Sequence, residues 1–424
     1  CVRVNEEPFF SLGPLQLEEM MTGTVNAYTY NVKRLHRRPA TREDVKNAAV
    51  LADALGNIKT VGIPLTPYDA LPETRSLHAL SIIAQYTSKP ISWLHIINLE
   101  MAKLAVRVEA ILAGGIEGLR KKPTHTALLE AISPLRYDDR VIDLLFYYAE
   151  QGIPAVSMSS MPLPGLTAPM SIPASIAQGV AEIIPGLYLL NLANPAIRLT
   201  PAMCLGVCYG PTWATDVMLC DPHNLRHIYA APEETLVGLA ESQFIREFYG
   251  FPVWGARALR TDAKRPGIQA TLEKTLTGTL AMLAGATGLG PAGQLDSDQI
   301  FCFEQLVMDN ETMNLMKSVQ RGIPVNPEDF EVERIKRGVE KGSYLTDPLT
   351  LKRVREMVYT SELLDRERYE EWIKGGKKDM LTKAHEEVQK ILKCHEPRPQ
   401  IDRQMVKEIG VILKEADKKF TSAR

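Results

Sequence analysis

The chain has 424 residues, 45% apolar and 24% charged, which is average for a soluble globular protein and allows one large domain with appendages or two to three ordinary ones. Its formal charge of −2 gives no electrostatic reason to expect nucleic acid or an anionic membrane as a partner. The six cysteines are dispersed and follow no secretory pattern, which indicates a reducing, cytoplasmic compartment.

Residues 1–40 have a mixed character and form an N-terminal segment. The chain begins with Cys1 rather than Met, so we expect its natural beginning to be missing. A helix is predicted to follow, because Thr41 is a typical N-cap and two acidic residues come directly after it in the first turn. Gly56 is expected to end this helix, and a short buried strand is predicted over Thr60–Pro64.

The same unit of a helix and a short apolar strand recurs along the chain. Further helices are predicted over 76–87, 100–119, 139–151, 172–184, 233–249 and 268–284. Apolar strands are predicted over 91–96, 127–132, 155–158, 253–256 and 287–289, and an apolar stretch ends near Tyr209. This alternation predicts an α/β protein with a parallel sheet covered on both faces.

About eight such units in roughly 300 residues favour a (β/α)8 TIM barrel, assigned here to residues 41–326. An open, doubly wound sheet is the alternative, but no G-x-G-x-x-G motif lies at a strand-to-helix turn. Residues 327–424 are more charged and are predicted to form a helical region packed on the barrel. An uncharged stretch between Lys274 and Asp296 is too rich in glycine for a continuous membrane-spanning helix.

Aromatic residues mark the expected position of the active site, which in a barrel lies at the carboxyl ends of the strands. Trp93, Tyr209 and Trp213 fall at or beside predicted strand ends. Together they could form a cage that holds an alkylated ammonium group by cation–π attraction. The alternative is ordinary packing of aromatic rings. Trp254 is expected to point outward into the helix layer.

Several polar residues are further candidates. His95 follows Trp93 by two residues and is either a pocket residue with a catalytic role or a structural histidine. Arg260 and Lys264 lie beyond a predicted strand and could bind an anionic substrate end or pair internally. Zinc-type ligands also occur at tolerable spacing, but no standard zinc signature matches and no metal is predicted; they are Cys204, Cys208, Cys220, His223 and His227.

Short motifs recur in a recognisable order, and these include Arg37-Arg-Pro-Ala-Thr41, Asp53-Ala-Leu-x-Asn57, Gly152-Ile-Pro154, Ser159-Ser-Met161-Pro, Thr261-Asp-Ala-Lys264 and His395-Glu-Pro397. By their order and spacing, over essentially its whole length, the chain resembles the trimethylamine:corrinoid methyltransferase family. The resemblance implies a (β/α)8 barrel that transfers methyl from a methylamine to cobalt(I) of a corrinoid. That corrinoid (cobalamin) is carried by a separate corrinoid protein, so no tightly bound cofactor is expected on this chain.

The founding members of that family carry pyrrolysine, whereas this chain contains only standard residues and resembles the branch that lacks it. Characterised members of that branch act on quaternary amines such as glycine betaine. A quaternary nitrogen is already a cationic leaving group, so transfer needs orientation and desolvation more than acid catalysis. We therefore expect a quaternary (or tertiary) methylamine as methyl donor. If the donor is a betaine, Arg257, Arg260 or Lys264 would hold its carboxylate.

Two departures from the family leave the substrate open. The segment between Tyr209 and Pro232 is longer than usual, and Thr350 follows a leucine where members commonly have a His-Thr pair. One alternative is an O-demethylase acting on methoxylated aromatics, for which Cys220, His223 and His227 would be zinc candidates. Another is a barrel that binds a methylamine without catalysis. A homo-oligomer is compatible with the sequence.

Overall fold

The computed structural model describes residues 2–4, 7–9, 17–22, 26–91, 94–123, 127–154, 156–197, 212–250, 253–255, 257–323, 331–399 and 401–422. Its strands are β1 (Val2–Val4), β2 (Glu7–Phe9), β3 (Glu19–Thr22), β4 (Tyr28–Asn31), β5 (His36–Pro39), β6 (Ile58–Thr60), β7 (Leu94–His95), β8 (Ala127–Glu130), β9 (Val156–Ser160), β10 (Thr212–Thr215), β11 (Gly288–Ala292), β12 (Gln294–Leu295) and β13 (Ile300–Phe301). Helices and strands alternate along the chain, so the predicted α/β class is confirmed.

The helices are α1 (Arg42–Ala54), α2 (Arg75–Tyr86), α3 (Leu99–Leu112), α4 (Ile116–Lys121), α5 (Asp139–Gln151), α6 (Ile172–Ala193), α7 (Pro232–Phe244), α8 (Ile268–Leu283), α9 (Phe303–Gln320), α10 (Val332–Lys341), α11 (Pro348–Met357), α12 (Tyr369–Lys374), α13 (Met380–Cys394) and α14 (Arg403–Ser422). A π-helix over Ile245–Tyr249 continues α7.

The long strands are parallel, and neighbours in the sheet follow one another in the chain. Strands β7, β8, β9 and β10 pair in that order, and β3 pairs with β6. A parallel bridge between Val61, directly after β6, and Ile91, shortly before β7, connects these two segments. Val253 and Gly255 are hydrogen-bonded through their backbones to residues 287 and 288, beside β11. Strand β11, the last of these parallel strands along the chain, pairs with β3, the first of them.

A small second sheet follows the carboxyl end of β3. Strand β4 pairs antiparallel with β5 and parallel with β13, which in turn pairs with β12. Strands β3, β4 and β5 all belong to residues 1–40, which the sequence analysis sets apart from the barrel. Their short, partly polar runs carry little apolar periodicity, so the sequence did not predict them.

Two helices differ from prediction for clear local reasons. The predicted helix over 100–119 is divided into α3 and α4 because Gly114 and Gly115 have φ values of +73° and +119°. The helix predicted over 172–184 instead continues through Pro185 to Ala193. Its apolar face packs on β9 and α5, and that burial outweighs the helix-breaking tendency of proline. The predicted N-cap of α1 is confirmed, since Thr41 and Asp44 form a capping box.

Helix α6 is also, by length and composition alone, the one described helix that could cross a membrane, with 22 residues and a mean hydropathy of 1.3. Within the fold it covers the sheet. Glu182, in the middle of α6, accepts hydrogen bonds from Ser133 Oγ at 2.6 Å and from Ser160 Oγ at 2.5 Å. A buried glutamate bonded to the sheet region is typical of a helix that belongs to a protein core.

The two faces of the parallel sheet differ in their surroundings. Leu129 and Met158 belong to the main apolar core, and the methyl group of Met158 lies against Gly186 of α6. This is the outer face of the sheet, which the helices cover. We call the opposite side, turned away from these helices, the inner face.

Trp254 occupies the inner face, contrary to the expectation that it points outward. Neighbouring Gly255 faces Ala281 of α8, and side chains alternate between the faces of an extended strand. The Trp254 indole lies against Gly288, where a Cβ would have no room, and against Gly290, where a Cβ would be crowded. Its Nε1 donates a hydrogen bond to Glu19 at 3.2 Å. Paired glycines therefore make space for a large ring on the inner face.

Candidate active site at the carboxyl ends of the strands

Polar side chains line the inner face where β7, β8 and β9 end. His95 pairs with Leu128, and Leu128 pairs with Ser157. Two residues further along, Glu130 pairs with Ser159. Register partners in parallel strands share a face, as do residues two apart. These five residues form one set, which we call the inner row.

His95 is a half-buried member of the inner row. Burial lowers the pKa of its imidazole below the ordinary value of 6.5. The ring is therefore neutral at neutral pH and brings no positive charge to the inner face. It can donate one hydrogen bond and accept another, which suits a pocket-lining role.

Glu130 is a functional candidate that the sequence analysis missed. It is the last residue of β8 and half-buried, and it has no hydrogen bond or ion pair with the described residues. Burial raises its pKa; the charge of Arg140 lowers it in part, and that of Asp216 raises it further. The predicted strand ran to Ile132, which placed the expected site beyond the true end of β8 at Glu130.

Ser157 adds a second polar atom with no protein partner among the described residues. Its side chain is fully buried, and its Oγ makes no hydrogen bond. Buried hydroxyl groups are usually hydrogen-bonded, so such exceptions call for an explanation. Together with Glu130, it shows that the inner row offers hydrogen-bonding capacity that the described chain does not itself use.

Beyond β10 lies a network of buried charges. Arg257 contacts Asp216 at 3.0 Å, Glu234 at 2.8 Å and Glu241 at 2.7 Å. Arg260 binds the same Asp216 through two bonds, of 2.8 and 3.2 Å. We call these five residues the Asp216 network. Arg257 adopts a left-handed backbone with φ +64°, a conformation unusual for a residue with a side chain.

The Asp216 network has strongly perturbed pKa values. Burial alone would raise the pKa of Asp216, but the guanidinium groups of Arg260 and Arg257 hold it at about 2. Burial raises the pKa of Glu241 to about 7, even though Arg257 opposes the shift. The guanidinium of Arg260 also lies over the Tyr229 ring, 4.7 Å from its centre. Two arginine side chains thus form ion pairs with three carboxylates in an environment that largely excludes water.

The structure brings two of the three predicted carboxylate-binding cations together and separates the third. Arg257 and Arg260 meet at Asp216, whereas Lys264 is exposed and pairs with Asp296 at 2.6 Å. The sequence allowed either substrate binding or internal pairing for Arg260 and Lys264, and both residues form internal ion pairs. Asp216 itself was recognisable as the first acidic residue after the nearly uncharged stretch over 151–215.

Lys264 lines a cavity of about 830 Å³ formed by the small second sheet and by loops that follow the carboxyl ends of the strands. Its other basic or imidazole side chains are His36, Arg37, Arg226, His227 and Arg265. Asp296 is the carboxylate in its lining and pairs with Arg37 at 3.0 Å as well as with Lys264. We call it the basic cavity, because positive charge exceeds negative charge in its lining.

The described zinc-type ligands do not converge. Cys220 and His227 face each other across an isolated bridge, but His223 is exposed. The His227 ring packs edge-on against Tyr229, and its Nε2 lies 3.6 Å from Glu234. Among the described residues, no group of three His, Cys, Asp or Glu side chains could hold a metal ion. Cys204 and Cys208 lie outside those residues.

The proposed aromatic cage falls largely outside the described residues. Trp93 and Tyr209 are not among them. Trp213 lies in β10, where it pairs in register with Met158 of β9. The cage therefore stays a prediction.

Comparison with known proteins connects this geometry to a family. The family model described as Trimethylamine methyltransferase (MTTB) matches residues 16–415. Trimethylamine methyltransferase MttB of Methanosarcina barkeri (strain Fusaro / DSM 804) is 31% identical over 90% of this chain and 74% of its own length. The glycine betaine methyltransferase of Desulfitobacterium hafniense (strain Y51) is 30% identical over 87% and 74%.

A solved structure, the hydroxylamine complex of MtmB, aligns with a TM-score of 0.44 at 12% identity over 90% of this chain and 74% of that chain. That similarity is too low to establish a common fold. The family match and the identity to curated relatives are both extensive, and those relatives are named methyltransferases. The chain is therefore a methyltransferase and belongs to the trimethylamine methyltransferase family.

Proposed function

We propose that the parallel strands close into a (β/α)8 barrel whose interior is bounded by the inner face. The consecutive order of the strands and the pairing of β11 with β3 support this arrangement. Residues 41–326, together with β3, would form the barrel, and 327–424 the helical region packed on it. In support, α13 packs against α1 and α9, and α14 against α2 and α3.

We propose that the enzyme transfers a methyl group from a quaternary (or tertiary) methylamine to cob(I)alamin carried by a separate corrinoid protein. The observation that carries this proposal is the match over residues 16–415 to a family whose curated relatives are named for trimethylamine and glycine betaine. The inner row agrees with a cationic substrate, because it combines a neutral imidazole with a carboxyl group that has no partner among the described residues.

The chain's own residues would bind and orient the donor. Trp93 and Tyr209 would cage the methylated nitrogen, and His95 would line the same pocket. Trp213, the third predicted member, holds the register position of Met158 on the outer face, so it is left out of the proposed cage. In the transfer, the carbon–nitrogen bond breaks and nitrogen keeps its electron pair, while the cobalt of the partner's corrinoid receives the methyl group. A quaternary donor needs no proton for this step, so the protein's task is orientation and exclusion of water.

The partner would approach the carboxyl ends of the strands, where the basic cavity opens. Its excess positive charge supports docking of a corrinoid protein with an acidic surface. We place this reaction in the cytoplasm, with no metal or cofactor tightly bound to the chain. Homo-oligomer formation is supported by exposed apolar residues one helical turn apart on α8, namely Ile268, Leu272 and Leu276.

The test mixes the purified protein with reduced free cob(I)alamin and a panel of methylated amines and aryl methyl ethers. Formation of methylcobalamin is followed by absorbance, with reactions lacking protein as the control. We expect a quaternary or tertiary amine to react. Reaction of an aryl methyl ether alone would favour an O-demethylase. If no donor reacts, even with purified corrinoid proteins, the proposal is wrong.

A further inference from the structure

Glu130 differs from three other buried or half-buried carboxylates near the parallel sheet in having no hydrogen-bond or ion-pair partner among the described residues. Asp216 is bound by two arginines, and Glu182 accepts hydrogen bonds from two serine hydroxyls. Asp309 pairs with the buried Lys274 at 2.7 Å. Glu130 makes no such contact with the described residues.

The surroundings of Glu130 are well defined on three sides. On β7, the imidazole of His95 is neutral at neutral pH because burial lowers its pKa. On α5, Arg140 acts on the carboxylate through its charge without forming an ion pair with it, and contacts Asp138 at 3.4 Å. Beyond β10, Asp216 repels the carboxylate, and its own charge is balanced by arginines. No described neighbour fully compensates Glu130.

A carboxylate in this position is costly in free energy unless it takes up a proton or gains a cation. Burial raises the pKa of Glu130, so its charged form is less favoured here than in water, and a bound cation would offset that cost. A ligand with a compact positive charge and apolar methyl groups would suit both the carboxylate and the buried or half-buried inner row. A tetraalkylammonium head group has that chemistry.

We propose that Glu130 determines substrate specificity by pairing its carboxylate with the cationic nitrogen of the methylated donor. This inference rests on the proposed function, since it places the donor at the inner row. The nitrogen loses its formal charge when the methyl group leaves, so the pairing exists in the bound substrate and fades during transfer. Such an interaction lowers KM and does not raise kcat.

The test measures tetramethylammonium binding to the full chain by calorimetry. Glu130→Gln should weaken binding on the order of tenfold or more, because the carboxylate charge is lost while the shape is kept. Glu150→Gln, at the exposed end of α5, is the matched control and should bind like the original protein. The uncharged analogue tert-butanol should bind to Glu130→Gln and to the original protein with similar affinity.

Two further readouts separate charge pairing from a structural role. In the original protein, affinity should rise with pH as Glu130 loses its proton and then level off; in Glu130→Gln this rise should vanish. With a reacting donor, Glu130→Gln should raise KM and leave kcat equal or higher. If that variant fails to fold, as judged by thermal melting, Glu130→Asp, which keeps the charge, should retain part of the affinity and the pH dependence.

Equal tetramethylammonium affinity in Glu130→Gln and the original protein would overturn the inference, and so would absence of binding to the original protein. Failure of the proposed function looks different. Tetramethylammonium would then bind in a Glu130-dependent way while no donor methylates cob(I)alamin with any corrinoid protein.

Discussion

The Nε2 atom of His395 lies 2.8 Å from Oδ2 of Asp53, although the two residues are 342 positions apart. Asp53 belongs to α1, and His395 directly follows α13. The same carboxylate accepts hydrogen bonds from Thr87 and Ser88. Both residues come from motifs that carry the family resemblance, so these two motifs join the C-terminal helices to the rest of the fold and do not line the candidate site.

We predict that Asp53→Ala destabilises the protein by about 1–3 kcal/mol, because several hydrogen bonds to a charged group are lost. Burial tends to raise the pKa of Asp53, but hydrogen bonds from Ser88, His395 and Thr87 lower it overall. The stabilisation is therefore present above the carboxyl group's unfolded pKa and lost as the pH falls through the lowered, folded value. Urea unfolding against pH measures this.

The matched control for Asp53 is Asp143→Ala, because Asp143 is exposed on α5. Asp143→Ala should leave the loss of stability at acid pH as it is in the original protein. Identical curves for the Asp53 variant and the control would show that the contact to His395 contributes nothing measurable.

Arg257→Met should destabilise the fold by about 3–5 kcal/mol, because it leaves Glu234 and Glu241 buried without their cation. Lys264→Met should cost less than about 1 kcal/mol, since its pair with Asp296 is exposed on the lysine side. Thermal and urea unfolding of both variants give the comparison. A stable Arg257→Met protein with a raised KM for a betaine would instead assign Arg257 to the substrate carboxylate.

Reversing charge at the basic cavity should affect only transfer to a protein-bound corrinoid. Arg226 and Arg265 line the cavity and form no ion pair with a described carboxylate. Arg226→Glu combined with Arg265→Glu should lower the transfer rate to the corrinoid protein by roughly tenfold at low salt, and less at high salt. Rates with free cob(I)alamin should not change.

Lys393→Glu, on an exposed part of α13, is the control for this experiment and should leave both rates unaffected. Equal losses with free and protein-bound corrinoid would mean that the basic cavity serves the chemistry and not the docking.

Replacing apolar residues on the outer surface of α8 should lower the oligomeric state. Leu272 and Leu276 are 67% and 46% exposed, and the double change to glutamate introduces charge where an interface would be dry. Analytical ultracentrifugation of the variant and of Val411→Glu, an exposed control on α14, measures the outcome. Unchanged sedimentation of the α8 variant would remove this surface as an interface.

The sequence predicted those elements that are determined by residues close together in the chain. The N-terminus of α1 was predictable because Thr41 and Asp44 form the cap within one turn. The strand-helix alternation and the C-terminal helices were predictable from apolar periodicity. The short strands β3, β4 and β5 were not, because pairing partners far along the chain stabilise them.

The candidate site was predicted less well, since it depends on register. Glu130 could not be placed on the inner face without knowing that β8 ends there and pairs with β9. The partners of Arg257 come from beyond β10 and from α7, so spacing alone could not distinguish internal pairing from substrate binding. The predicted outward orientation of Trp254 was wrong, because the space for its ring is provided by Gly288 and Gly290, which lie far from it in the sequence.

The Trp254 indole, bonded to Glu19 at the start of β3, fills the inner face at the end opposite the inner row. In a closed barrel this ring would block the amino-terminal end of the interior. The donor could then enter only from the carboxyl ends of the strands. The corrinoid protein proposed as partner would then have to use that same entrance. Steady-state kinetics should accordingly be ordered, with the amine arriving before the partner and the demethylated amine departing only after the partner has left.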